Sequence, residues 1–335
     1  MASTDLPELL HLQAILATAP PQVQSRVLAQ VGPEQWPIYH VYFTPQQPQN
    51  PSLLLTAGFH GLERIGSQVL LAYLESLCQR LSWDVQFQQL LCHVNLHIVP
   101  MVNPSGIARG WRSNAEHIDL MRNAPHDSLE GAALLVGGHR ISGRLPWYRG
   151  PQGVWAAENR AIAQLLQEWL WPSPLSLVLD CHSGFGQTDR IWFPYAKSRQ
   201  QPIAHLAHMY RIRQLFFQTY PHQNYLFEPQ SCHYLCHGDV WDHWYDQAVQ
   251  HGAQLLPLTL EMGSWNWVRK NPFQLLRSHG LFHPVKPHRV KRVLRSHLIL
   301  FDFLLHLTAA SQQGIPGLNN QHLSAARALW YPTSF

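Results

Sequence analysis

The chain has 335 residues, 46% of them hydrophobic and only 13% charged, with a formal charge of +4. This balance excludes a disordered chain and allows one large core or two modest ones. The charge is spread thinly, with no Lys/Arg run to track a phosphate backbone, so no nucleic-acid partner is expected. The basic residues Lys286, Arg289, Lys291, Arg292 and Arg295 are expected to cover the exposed side of a late helix. Five cysteines without small-scaffold spacing argue against a disulfide framework. Met1-Ala-Ser-Thr-Asp-Leu-Pro has no basic n-region, and the best apolar stretch, Leu298 to Leu307, contains Asp302 and His306. Neither a leader nor a membrane span is expected, and the predicted location is the cytoplasm.

In chain order, residues 5–30 carry apolar positions near helical spacing and predict an N-terminal helical segment closed by Pro33 and Pro37. Ile38 to Phe43 alternates like a strand, and Ser52 to Ala57 (SLLLTA) is a short apolar run that reads as a buried strand. Apolar spacing turns helical from Arg64 to Leu81. Cys92 to Val99 alternates again and stops at Pro100. Residues 101–150, rich in Gly, Asn, Pro and Arg, are too long for a plain connector and predict a functional surface. A helix is expected from Ala156 to Trp171, then buried strands at Leu175 to Cys181 and Leu255 to Glu261. Helical segments are expected over 203–219, 240–251 and 287–309, and a loop-like, poorly ordered tail after Gln312.

Strands alternating with helices predict an α/β fold, a mixed twisted β-sheet flanked by helices on both faces. The expected layout is a helical segment (1–35) packed on one catalytic domain (36–312), followed by a tail (313–335). Ligands in such folds sit beyond the carboxyl ends of the strands. His60, His182 and Glu261 each lie at or just after the end of an apolar strand, so three strands deliver reactive residues to one rim.

His60-Gly-Leu-Glu63 sets an imidazole and a carboxylate three residues apart where a strand gives way to a helix, a donor pair suited to zinc. The spacing alone is weak, since 22 His and 20 acidic residues supply about one such match by chance. His243 and Asp246 form a rival match inside a predicted helix. Asp180-Cys-His182-Ser-Gly184 offers a third ligand, which leaves a fourth position for water.

Three further segments make the pattern specific: Asn103-Pro-Ser-Gly106, Arg112-Ser-Asn114 and Ile118-Asp-Leu-Met-Arg-Asn123. With the two histidine segments and Leu258-Thr-Leu-Glu261, they resemble the zinc carboxypeptidases of the M14 type, in the family's order. The Arg-to-Arg spacing is most similar to bacterial members, including murein-peptide amidases. The resemblance implies one zinc ion per chain on His60, Glu63 and His182, with Asp119 holding the other ring nitrogen of His60. It implies Glu261 as general base, Arg112 as oxyanion stabiliser and Arg122 as the clamp on the substrate's terminal carboxylate. Asn114 and Tyr234 are implied substrate-binding residues, Tyr234 through a looser match to the mobile tyrosine of digestive carboxypeptidases. Trp241 falls where those enzymes place a specificity-pocket residue.

One departure is Met121, which stands where the family has Asn and cannot donate a hydrogen bond to a carboxylate. The implied activity is hydrolysis of a peptide or amide bond, releasing a C-terminal residue from a small peptide by Glu261-assisted attack of zinc-bound water. Two other readings stand beside it: a deacylase of N-acyl amino acids, and a peptide-binding pseudoenzyme. Oligomeric state has no signature in the sequence.

Overall fold

The computed structural model describes residues 6–184, 186–264, 268, 282–284 and 286–332. The leader-free reading of the first residues falls partly on 1–5, outside that set.

Eight strands form one sheet: β1 (Val23–Val31), β2 (Trp36–Phe43), β3 (Ser52–Ala57), β4 (Asn95–Val99), β5 (Ser176–Gly184), β6 (Arg190–Phe193), β7 (Leu226–Pro229) and β8 (Leu255–Gly263). Their order is β1-β2-β4-β3-β5-β8-β6-β7. The centre, β4, β3, β5 and β8, is parallel, while β1, β2 and β6 pair antiparallel. Every residue of β3, β4 and β5 is buried, because helices cover both faces. The alternation is visible within single strands. Leu53, Leu55, Leu177 and Leu179 enter the core beneath α2 (Arg64–Arg80) and the helix Leu298–Ala309. Leu54 and Val178 enter the core shared with α5 (Ala157–Leu165) and α7 (Val240–Gln250), which follow the short helices α3 (Val85–Leu91) and α4 (Pro104–Arg109) in the chain.

Two expectations are corrected at the ends of the chain. Only Pro7–Thr18 of the first segment is helical (α1), because Pro20 and Pro21 break it. Val23, Val27, Leu28 and Val31 have helical spacing, yet this stretch is β1, paired along β2 with a bulge between Val27 and Ala29. Ladder pairing with β2 overrides the local pattern, and the first 35 residues supply an edge strand of the main sheet. Nor is the tail loose: Gln321–Trp330 is a helix packed on α6 (Leu206–Thr219). Its Ala326 and Trp330, four apart, face the core, and the Trp330 indole donates to the Phe227 carbonyl at 3.1 Å.

The remaining differences are local. The segment 287–309 is two helices, Pro287–Ser296 and Leu298–Ala309, and the expected basic side of the first is exposed. β6 and β7, four residues each, are too short to show a period. No helix among the described residues is long and apolar enough to cross a membrane.

Trp330 also meets Phe193 edge to face at 4.8 Å and stacks on Phe227. Trp330→Ala should therefore destabilise the protein by about 3 kcal/mol. Urea unfolding would measure this; a loss below roughly 1 kcal/mol would mean the terminal helix is not part of the cooperative core.

Candidate metal centre and active site

The parallel core strands set the site's geometry. In the β5–β8 register His182 lies opposite Glu261, and on β8's other side Glu261 lies opposite Arg190. His60 follows β3 by a short turn, and Glu63 immediately precedes α2. Gly66, in the first turn of α2, permits the helix to lie directly on β5, since a Cβ there would stand 2.5 Å from the Cys181 carbonyl oxygen. That close approach carries Glu63 to His182.

His60, Glu63 and His182 are all buried, and one ligand atom from each lies within 4.8 Å of the others. Glu63 Oε1 is 2.8 Å from His60 Nδ1, and Glu63 Oε2 is 3.0 Å from His182 Nδ1. The outer ring nitrogens are held by carboxylates. Asp119 Oδ1 is 3.1 Å from His60 Nε2, and Asp180 Oδ2 is 2.7 Å from His182 Nε2. Both Nδ1 atoms are thereby aimed at the same point, the arrangement a zinc ion requires of its histidines.

Charge fits as well. With neutral rings, Glu63, Asp119 and Asp180 place three negative charges in a buried cluster, and Arg112, bound to Asp119 Oδ2 at 2.7 Å, offsets one. A divalent cation balances the other two. Two imidazoles and a carboxylate at this separation fit zinc in donor type and number.

The protein's own charges shift one another strongly. Burial alone would raise Glu63, but His60 and His182 outweigh it and hold the carboxyl far below its usual range. Burial would likewise raise Asp119; Arg112 and His60 keep it well below. Burial would lower His182, yet Asp180 and Glu63 hold it well above its usual value. Glu261 moves the other way: burial, reinforced by the Glu63 carboxylate, pushes it up to about 8.

A cavity of about 310 Å³ opens beside the cluster, lined by His60, Glu63, His182, Glu261, Arg112 and Arg122 among others. Arg122 is buried, with its Nη2 3.4 Å from the Tyr234 hydroxyl and its guanidinium over the Tyr234 ring. Its buried Nε has no hydrogen-bond partner among the described residues. Met121 lines the cavity beside it as an apolar wall. Arg149, which the sequence did not single out, fixes this segment by donating to the carbonyls of Arg122, Ala124 and His126.

Asn114 is not among the residues lining the cavity. It is buried; its Oδ1 accepts from the amides of Glu116 and Ile118, and its Nδ2 donates to Glu158. These hydrogen bonds tie the loop to α5 and set the Asn114 side chain apart from the cavity. Trp241 is also absent from the lining; its indole donates to Asp180 Oδ2 at 2.8 Å. The rival pair separates: His243 packs against Trp155, and Asp246 takes Tyr195 and Lys197. Asp180 is the residue that sequence reading missed. Its signal was available, since a carboxylate two residues before a histidine on one strand shares that histidine's face.

An α/β sheet with a buried His-Glu-His cluster at its strand ends, opening on a cavity with a buried arginine, defines a metallohydrolase-type site. The family model described as zinc carboxypeptidase (Peptidase M14) matches residues 12–271. The chain belongs to that family. Among curated proteins it is 20% identical to human carboxypeptidase D over 245 residues, 68% of this chain and 15% of that protein. It is 27% identical to human carboxypeptidase Z over 147 residues, 40% of this chain and 22% of that protein. The chain thus spans less than a quarter of either relative. Among solved structures, thrombin activatable fibrinolysis inhibitor superposes with a TM-score of 0.69 at 17% identity, covering 91% of this chain and 73% of that one. Carboxypeptidase A of Helicoverpa armigera gives 0.64 at 17% identity, covering 91% and 72%. These likenesses are of fold.

Gly184 touches the site in a way that can be tested. A Cβ on Gly184 would stand 2.0 Å from Glu261 Oε1, so Gly184→Ala must displace that carboxylate. Isotope-edited infrared spectra of the Glu261 carboxyl should shift in Gly184→Ala while metal content is unchanged; an unmoved band would show that the carboxylate is not held against Gly184. Asp180→Ala should weaken zinc binding about 10–100-fold, read by chelator competition, and an unchanged affinity would deny Asp180 any part in orienting His182.

Proposed function

We propose that this chain is a zinc-dependent carboxypeptidase that releases the C-terminal residue of a small peptide. The observation that carries the reading is Arg122. A buried guanidinium with an unpartnered Nε, beside a tyrosine hydroxyl in the same cavity as the His-Glu-His cluster, is a receptor for a carboxylate. Free cysteines fit a reducing compartment such as the cytoplasm.

His60, Glu63 and His182 would hold one zinc ion per chain, which when bound would supply Lewis acidity to a carbonyl and lower the pKa of a water. The remaining work falls to the side chains. Glu261 receives a proton from the attacking water and delivers it to the leaving nitrogen. Its raised basicity suits a base, and a dication bound beside Glu63 would lower that basicity and favour the ionised carboxylate. Arg112, locked by Asp119 and 3.5 Å from Glu63, presents a fixed positive charge to the developing oxyanion. Arg122 and Tyr234 hold the terminal carboxylate, with Met121 contributing contact but no hydrogen bond.

Metal analysis by mass spectrometry should find one zinc per chain and activity abolished by chelation; metal-free protein that gains no activity on zinc addition overturns the reading. Glu261→Gln should keep its zinc while kcat falls about 10²–10⁴-fold, and an unchanged kcat would remove Glu261 from the mechanism. Peptides with amidated C-termini should be cut far more slowly than their free-acid forms. Equal cleavage of the two would mean Arg122 clamps no carboxylate.

A further inference from the structure

We infer that Arg190 sets the side-chain preference of this site, and that the residue released carries an acidic side chain. The inference rests on the carboxypeptidase reading and deepens it.

The charges lining the cavity can be taken in turn. Glu63 and Glu261 belong to its hydrolytic end. Asp239 is engaged at the start of α7, where its Oδ1 accepts from the amides of Trp241 and Asp242 at 3.0 and 3.1 Å. Arg112 is bound to Asp119, and Arg122 takes the terminal carboxylate. Arg190 remains, a third guanidinium in the wall of a small cavity.

Its position follows from strand period. On β6, Ile191 and Phe193 enter the core, so Arg190 and Trp192 share the opposite face and line the cavity. The register places Arg190 across from Glu261 and Trp192 across from Thr259. Arg190 therefore lies one strand beyond the general base, in the wall of the same cavity that Arg122 lines. Glu228 engages its Nη1, and no described residue hydrogen-bonds its Nε or Nη2. Arg190 and Glu228 are 21% and 23% exposed, so the pair is partly withdrawn from water.

The chemistry of that wall discriminates. A lysine side chain would meet a like charge, and an apolar one would cover N–H groups that no described residue engages. A carboxylate forms charge-assisted hydrogen bonds to the two nitrogens that Glu228 leaves open.

The test uses the zinc-loaded full chain and blocked peptides differing only in a C-terminal glutamate, glutamine, leucine or lysine. Glutamate should exceed glutamine about tenfold or more in kcat/KM, with lysine poorest. Arg190→Gln should lower kcat/KM for glutamate about 10–100-fold and leave leucine and glutamine within about threefold. Glu228→Gln, which keeps the arginine and removes its competitor, should raise the glutamate-to-glutamine ratio. A structural ion pair would move all substrates together in both variants, and that result overturns the inference, as does a wild type indifferent to glutamate. Calorimetric binding of N-acetylglutamate, N-acetylglutamine and N-acetylleucine reads the same preference without turnover. Selective N-acetylglutamate binding lost in Arg190→Gln upholds the role of Arg190 even if no peptide is cut, the outcome that sinks the carboxypeptidase reading alone. Equal binding of the three overturns the inference.

Discussion

Five buried groups alternate in kind along one line: Asp119, His60, Glu63, His182 and Asp180, each within 3.1 Å of the next. Isolated, any one of the carboxylates would be costly at this depth. Together they fix both imidazole tautomers and leave one charge-hungry point between two rings and a carboxylate. The line crosses the neighbouring ends of β3 and β5. Its ends are anchored by Arg112 on Asp119 and by Thr56 and Trp241 on Asp180. Because every member is satisfied by its neighbours, loss of one leaves others unpaired in a dry interior, and effects there should exceed the sum of single contacts.

The sheet makes that line possible. Parallel strands buried on both faces run to a common edge, and the side chains at that edge are set by register alone. His182 and Glu261 are opposite one another because β5 and β8 are in register from Ser176 and Leu255 onward. Catalytic spacing thus depends on the packing of leucines and valines far below it, and on Gly66, where bare backbone lets α2 settle on β5.

Much of this was legible from residues. Fully buried strands announce themselves as short apolar runs, and a polar residue ending such a run is conspicuous, which is how His60, His182 and Glu261 stood out. The failures have physical causes too. The N-terminal stretch was misjudged because four apolar residues with helical spacing also serve an edge strand, where only one partner fixes the conformation. The terminal helix is hard to read because three of its six apolar residues are alanines and only His322, Ala326 and Trp330 are buried. Asn114 belongs to the motif, and its side chain binds its own loop and Glu158 of α5, partners that the motif does not announce. Asp180 is legible through strand period, two residues before His182 on the same face, whereas the Trp241 N–H that braces it comes from a distant helix that the sequence pattern does not bring near.

Helix α7 therefore acts as a strut between two tasks. Trp241 on its first turn braces Asp180 behind the metal cluster, while Gly238, just before it, accepts a hydrogen bond from Ala124 at 3.0 Å, two residues past Arg122. A tilt of this one helix would disturb the brace on Asp180 and the backbone beside Arg122 at once. Under the proposed function, variation along this helix would alter metal affinity and turnover together and not either alone.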